Sequence, residues 1–277
     1  MVLLNGKELA QQRFLHLKTQ VSSLVKKPKL AGILIGKDFA SQIYVSKKKE
    51  ACEKLGFTCD ILYLGEDSTQ KQVLQLIEKL NKDNTVTGIL LQLPIPKHLN
   101  ALGLINAISS KKDVDGVSAK NMGLLLQKAH TIAPCTAQGI CNLLKAYNFS
   151  IKGAHVVIVG RSLIVGLPTS ILLQQQGATV SLCHSQTSDL KHLVQQADIV
   201  VVSVGKKHLL DKTAFKKNAV VIDVGISREG DKLYGDVCPQ GLENVLKAYS
   251  PVPGGVGPMT IQTLMENLVK LQQLADH

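Results

Sequence analysis

The sequence predicts an α/β protein of two domains, an N-terminal βαβαβ unit followed by a Rossmann-type dinucleotide-binding unit. Three observations carry this. Short apolar strands alternate with helical patterns along the chain, which is the signature of parallel sheets covered on both faces. A β-branched run, Val156 to Val159, stops at Gly160 and gives way to a helical pattern, the strand, turn and helix that a dinucleotide site requires. The length of 277 residues suits two cores of roughly 100–150 residues each.

Taken in order, Asn5 to about Val25 reads as a helix, with Leu9, Phe14, Leu17, Val21 and Leu24 in register. Leu30–Gly36 is a buried strand, Ser41–Gly56 a helix ended by its glycine, and Phe57–Leu64 the next strand. Ser68–Lys82 is an amphipathic helix, and Val86–Leu93 a third strand closed by Pro94 and Pro96. Residues 113–136 are the least regular, and the domain boundary is placed there, at 119/120. A helix over 136–147 enters the second unit, which continues as strand 154–159, helix 164–176, strand 178–183, helix 188–196, and strands 198–204 and 219–224. Pro251 to Pro258 is a loop rich in Gly and Pro, and Thr260 is expected to cap a last helix reaching Ala275.

The net charge of +11 raises the question of nucleic acid, but it divides as +6 over residues 1–119 and +5 over 120–277, with no basic tail and few aromatics beside the lysines. A field of this sign favours anionic small molecules. The six cysteines show neither C-x-x-C nor metal-ligand spacing, and they read as core residues of a reducing compartment. No apolar run approaches the ~18 residues of a membrane span. The expectation is a cytoplasmic protein that binds neither membrane nor nucleic acid and holds no metal.

Helical spacing from Tyr44 puts Tyr44, Lys48, Ala51, Cys52 and Leu55 on one face, so Lys48 points inward while Lys47 and Lys49 point to water. Snorkelling would explain a lone inward lysine. A phenol one turn away favours a catalytic pair. Gln92 ends the third strand, where ligands of open α/β sheets collect. Asp113 and Asp115 bracket Val114, and either is a turn former or a ligand; Asp115, beside Gly116, is the candidate.

In the second unit the turn has Gly160, Ser162 and Val165 at the three glycine positions of the dinucleotide fingerprint, with Gly166 next. An NAD site places a carboxylate about 20 residues on, at the end of the next strand, to bind the ribose 2′-hydroxyl. Here that strand ends Cys183-His184-Ser185-Gln186-Thr187 with none. Arg161 in the turn and Ser185 suit a 2′-phosphate, so the cofactor expected is NADP.

Eight segments in order then resemble the bifunctional methylenetetrahydrofolate dehydrogenase/cyclohydrolase family over essentially the whole chain. They are Tyr44-Val45-Ser46-Lys47-Lys48, Gly88 to Pro94, Lys112 to Gly116, Pro134-Cys135-Thr136, Gly160-Arg161-Ser162 with Ile164-Val165-Gly166, Cys183-His184-Ser185, Asp223 to Ile226, and Pro253 to Thr260. The chain departs from the family pattern at Val117-Ser118-Ala119, where an aromatic, often then His-Pro, is usual, and at Ala137 in place of proline.

The resemblance implies oxidation of 5,10-methylenetetrahydrofolate with NADP⁺ and hydrolysis of the methenyl product to 10-formyltetrahydrofolate, at one site between the domains. It implies that Lys48 is the central catalytic group, that Tyr44 stacks on the folate, that Gln92 supports Lys48, and that Asp115 binds the pterin. Leu91, Leu93 and the loop of Pro253, Gly254, Gly255, Val256 and Gly257 would complete the folate site. Gly160, Arg161, Ser162, Ser185 and Ile226 would contact NADP. It further implies a homodimer serving one-carbon metabolism and purine synthesis, mono- or polyglutamylated substrates, and a last helix, about 258–277, that returns to the first domain. The residues alone leave open a different NADP-dependent two-domain dehydrogenase acting on an organic acid.

Overall fold

The computed structural model describes residues 1–129 and 132–276. Along the chain run β1 (Val2–Leu3), α1 (Gly6–Ser22), β2 (Lys29–Ile35), α2 (Phe39–Lys54), β3 (Thr58–Leu64), α3 (Gln70–Lys82), β4 (Gly88–Leu91), α4 (Ala101–Ala107), α5 (Ala119–Leu126) and α6 (Cys135–Ala146). They are followed by β5 (His155–Val159), α7 (Gly166–Gln175), β6 (Thr179–Cys183), α8 (Leu190–Gln196), β7 (Ile199–Val202), β8 (Val220–Asp223), β9 (Ser227–Glu229), β10 (Lys232–Tyr234), β11 (Ala248–Ser250) and α9 (Val256–Ala275). The chain forms two compact units, one of residues 14–133 with 264 onward, the other of 1–13 with 134–263.

The first unit holds a three-stranded parallel sheet in the order β3-β2-β4. Central β2 is buried almost throughout because its sequence, KLAGILI, offers an apolar side chain to both faces. Val73, Ile77 and Leu80 of α3 and Leu104 and Ile105 of α4 pack with Ile33, Ile35, Ile89 and Leu91 of the sheet. Thr69 and Gln72 close the start of α3 in a capping box. The later part of α9 belongs to this unit: Cys52 Sγ lies 3.6 Å from Met265 Sδ, and Thr87 Oγ1 donates to Gln272 Oε1 at 2.7 Å. The last helix thus returns to the first domain, as expected.

The second unit carries six parallel strands in the order β1-β11-β8-β7-β5-β6. From β5 the chain moves outward to β6, then crosses to β7 on the other side. The strand order therefore reverses between β5 and β7, and in such sheets ligands bind at the carboxyl ends of the strands beside that reversal. Val156 to Val159 and Ile199 to Val202 are buried on both faces.

Several features differ from the sequence reading. Residues 1–13 sit with the dinucleotide-type unit, because Val2 and Leu3 pair with Ala248 and Tyr249. Within the stretch expected to be irregular, α5 forms; residues 130 and 131 of that stretch, like residue 277, lie outside the described residues. Thr260 is not a cap. The helix starts at Val256, and Thr260 Oγ1 donates to the Val256 carbonyl inside it. Pro258 is tolerated because it stands in the first turn, where the backbone N–H has no helical partner to lose.

Candidate functional sites in the two units

In the first unit α2 follows β2, its start fixed by Asp38, whose carboxylate accepts from Ser41 N at 2.7 Å. Of the three consecutive lysines, Lys48 is buried, 8% exposed, and Lys47 and Lys49 are exposed. Lys48 Nζ donates to Gln92 Oε1 at 2.9 Å. The Gln92 amide is itself oriented, since its Nε2 donates to the Leu93 carbonyl at 2.6 Å and so turns its oxygen toward the lysine. Gln92 is held at the end of β4 by its own N–H, which donates to Ile33 O at 2.9 Å. Tyr44, one turn before Lys48, is half-buried, and burial pushes its phenol above the ordinary value. It therefore stays neutral at physiological pH and suits a stacking or donor role.

The two aspartates separate clearly. Asp113, 2% exposed, accepts from Gly116 N at 3.0 Å, Ser118 N at 2.8 Å and Asn121 Nδ2 at 2.9 Å. Asp113 is the turn former. Asp115 is half-buried at the other end of that turn. The turn is anchored to β4, where Ile89 N donates to Lys112 O at 2.7 Å, and to α9, where Asn267 Nδ2 donates to Val114 O at 3.1 Å and Ala133 O at 3.0 Å. Sequence reasoning missed Asn267. One amide among several polar residues buried on α9, with Gln262, Thr263 and Gln272, gives no spacing signal. Leu91 packs its side chain in the core, 6% exposed, and Leu93 is half-buried.

In the second unit β5 ends at Gly160, whose φ of +118° only glycine adopts readily and where a Cβ would lie 2.6 Å from Ser203 O. Gly166 lets α7 begin against that turn, because a Cβ there would overlap the Gly160 carbonyl. Gly166, not Val165, thus serves as the close-packing glycine of the fingerprint. α7 has no side-chain cap; its first turn is closed by Ser162, whose Oγ accepts from Val165 N at 3.2 Å and whose carbonyl accepts from Leu167 N at 3.0 Å. Arg161, Ser162, Ser185 and Ile226 are all exposed at the carboxyl ends of their strands. The first carboxylate after β6, Asp189, is engaged as the cap of α8, accepting from His192 N at 3.2 Å. These residues fit a dinucleotide, and among the described residues 184–188, just after β6, there is no acid.

The segment Pro253 to Gly257 belongs to this second unit, and it is a loop only as far as Gly255, since Val256 and Gly257 open α9. Gly255 N donates to Pro251 O at 2.8 Å, and Lys7 N donates to Gly254 O at 2.9 Å at the start of α1. Gly6 is required there, since a Cβ would overlap the Gly255 carbonyl.

Comparison with known proteins matches residues 4–115 to the catalytic domain of tetrahydrofolate dehydrogenase/cyclohydrolase and residues 134–276 to its NAD(P)-binding domain. The bifunctional protein FolD of Bdellovibrio bacteriovorus is 44% identical over 98% of this chain and 96% of its own. The crystal structure of the bifunctional enzyme FolD from Campylobacter jejuni, 42% identical, superposes with a TM-score of 0.95 over 99% of each chain. The Trypanosoma brucei enzyme, complexed with NADP cofactor and an inhibitor, is 32% identical with a TM-score of 0.96, over 100% of this chain and 99% of that one. On the family match across both halves and the full-length likeness, the chain belongs to the tetrahydrofolate dehydrogenase/cyclohydrolase family.

Proposed function

We propose that this chain oxidises 5,10-methylenetetrahydrofolate with NADP⁺ and hydrolyses the resulting methenyl cation to 10-formyltetrahydrofolate. The observation that carries the reading is the buried Lys48 amine, held 2.9 Å from an oriented Gln92 amide in the unit matched to the family's catalytic domain. NADP⁺, when bound, supplies the hydride acceptor for the one-carbon bridge. The protein positions the folate and handles protons. Water adding to the methenyl carbon must lose a proton, and a lysine amine within reach of that water is the group to take it. Gln92 fixes where the amine points. Tyr44 stacks on the ring system, Asp115 accepts from the pterin amino group, and the Leu91–Leu93 and Pro253–Gly257 segments line the folate. Asp113 is assigned to the fold. We take the unit of residues 14–133 with the end of α9 as the catalytic domain, and the rest as the cofactor domain.

The cofactor assignment rests on Arg161 and Ser185 at strand ends that lack a carboxylate. A charge-assisted contact to a 2′-phosphate is worth roughly 1.5–3 kcal/mol. Arg161→Ala should therefore raise the Michaelis constant for NADP⁺ by about ten- to a hundredfold and leave that for NAD⁺ nearly unchanged. Equal losses with both cofactors would make Arg161 structural. We also read the enzyme as a cytoplasmic homodimer that accepts polyglutamylated folates and feeds purine synthesis; +11 of net charge suits anionic substrate tails. A coupled assay with methylenetetrahydrofolate, following NADPH and methenyl absorbance together, tests the function. Absence of substrate-dependent NADPH would refute it.

A further inference from the structure

A buried carboxylate pair lies in the second unit, beside the segment that carries Ile226. Asp236 and Asp223 are both fully buried. The Asp236 carboxylate accepts three consecutive backbone N–H groups, Val204 at 2.6 Å and Gly205 at 3.2 Å on Oδ2 and Lys206 at 2.7 Å on Oδ1. Successive N–H groups converging around a residue at positive φ, here Gly205 at +67°, form a concavity that binds anions. In this chain the anion is internal. Asp223 holds Asp236 in turn, accepting from Asp236 N at 2.9 Å, Val237 N at 3.0 Å and the Tyr249 hydroxyl at 3.3 Å. Two glycines make room: a Cβ at Gly225 would overlap the Asp236 carboxylate, and one at Gly235 the Asp223 carboxylate.

What this device fixes is the turn after β7. Strand order reverses between β5 and β7, so the crevice that takes the dinucleotide is bounded by the Gly160–Val165 turn on one side and by residues 203–206 on the other. Ser203 O is the atom against which Gly160 packs. Ser227 Oγ donates to Gly205 O at 3.0 Å, tying the same turn to the segment that carries Ile226. We propose that Asp236 is a positioning residue for the cofactor, its carboxylate fixing the Val204–Lys206 turn as the second wall of the dinucleotide crevice. It acts through backbone and touches no reacting atom. The proposal rests on the cofactor reading above.

Asp236→Asn keeps the shape but sets an amide NH₂ against at least one of the three donors. Its NADPH dissociation constant, read from the cofactor's own fluorescence, should rise at least tenfold, and the Michaelis constant for NADP⁺ with it. Methenyl hydrolysis assayed without cofactor should stay within twofold of wild type. A merely structural role would lower both activities together, in proportion to the folded fraction. Gly205→Ala strains the same turn at its positive φ, from an exposed position and with both buried carboxylates left in place, and it should show the same split, smaller, at about three- to fivefold. An unchanged NADPH constant in folded Asp236→Asn overturns the proposal. If that variant does not fold, an unchanged constant in Gly205→Ala overturns it. Because NADPH binding is read directly, these outcomes are independent of the folate reaction, whose failure in the wild-type protein would instead refute the proposed function.

Discussion

The Lys48 neighbourhood and the Gly160 turn solve different problems by opposite means. Around Lys48 the working part is one side chain, buried on α2 and aimed by a second side chain, Gln92, which is itself aimed by a carbonyl. Around Gly160 the working part is backbone, and the nearby polar side chains, Arg161, Ser162 and Ser185, stand exposed. A site built from a side chain fails when atoms are removed. One built from backbone fails when atoms are added.

That contrast can be broken at several points. The largest effect is expected at Lys48, where loss of a proton-handling amine should slow methenyl hydrolysis by about 10²–10⁴-fold while NADPH binding survives. Gly166→Ala is the counterpart. A methyl forced against the Gly160 carbonyl costs roughly 1–3 kcal/mol of overpacking, so NADPH affinity should fall by about ten- to a hundredfold. Hydrolysis without cofactor should persist; normal NADPH binding would show that the turn does not depend on close helix packing.

The aspartates sharpen the comparison within one turn. Asp113→Ala removes the carboxylate that three donors share in the interior, leaving Gly116 N and Asn121 Nδ2 only their second acceptors, Asp113 O and Ser110 O, and should lower unfolding stability by about 2–4 kcal/mol. Asp115→Ala should cost under about 1 kcal/mol yet weaken folate binding and both activities, with NADPH binding retained. Denaturant unfolding and calorimetry with folate separate the two. A stable Asp113→Ala that binds folate poorly would exchange the assignments.

The smallest effect concerns pH. Burial, outweighing the Val237 and Asp236 N–H donors and aided by the nearby Asp236 charge, pushes Asp223 up to about 7. An unfolded carboxylate titrates near 4. The folded state therefore holds this proton more tightly, and the contribution to stability is full below about pH 4 and is lost as pH rises to about 7. Asn cannot titrate. The stability difference between wild type and Asp223→Asn should shift against wild type by on the order of 2–4 kcal/mol across that window and then level off. A difference that stays flat from pH 4 to 8 would mean that Asp223 is ionised throughout.

Much of this was legible in the sequence, for reasons that differ by element. The strands β2 and β5 are uninterrupted apolar runs, and no other local structure suits them. Lys48 was readable because helical spacing separates it by about 100° from each neighbouring lysine. The Gly160 turn showed itself through φ-permissive residues, although only the overlap at Gly166 reveals which glycine closes the packing. What stayed hidden depends on partners distant in sequence. The two residues of β1 have no pattern of their own, and β11 is three residues long; each exists by pairing across the chain. Asp113 and Asp115 look alike until Asn121 and the N–H groups of Gly116 and Ser118 converge on one of them. Asp236 is an unremarkable acid until the fold sets it under the Val204–Lys206 turn.

One buried lysine of three is expected to carry the hydrolysis, and parallel Met substitutions separate it from its two neighbours. Methenyl hydrolysis should collapse in Lys48→Met, with NADPH affinity and unfolding midpoint close to wild type. Lys47→Met and Lys49→Met, both at exposed positions, should hydrolyse at the normal rate. Retention of more than about a tenth of the wild-type rate in Lys48→Met would contradict the assignment, because such groups contribute at least about a hundredfold.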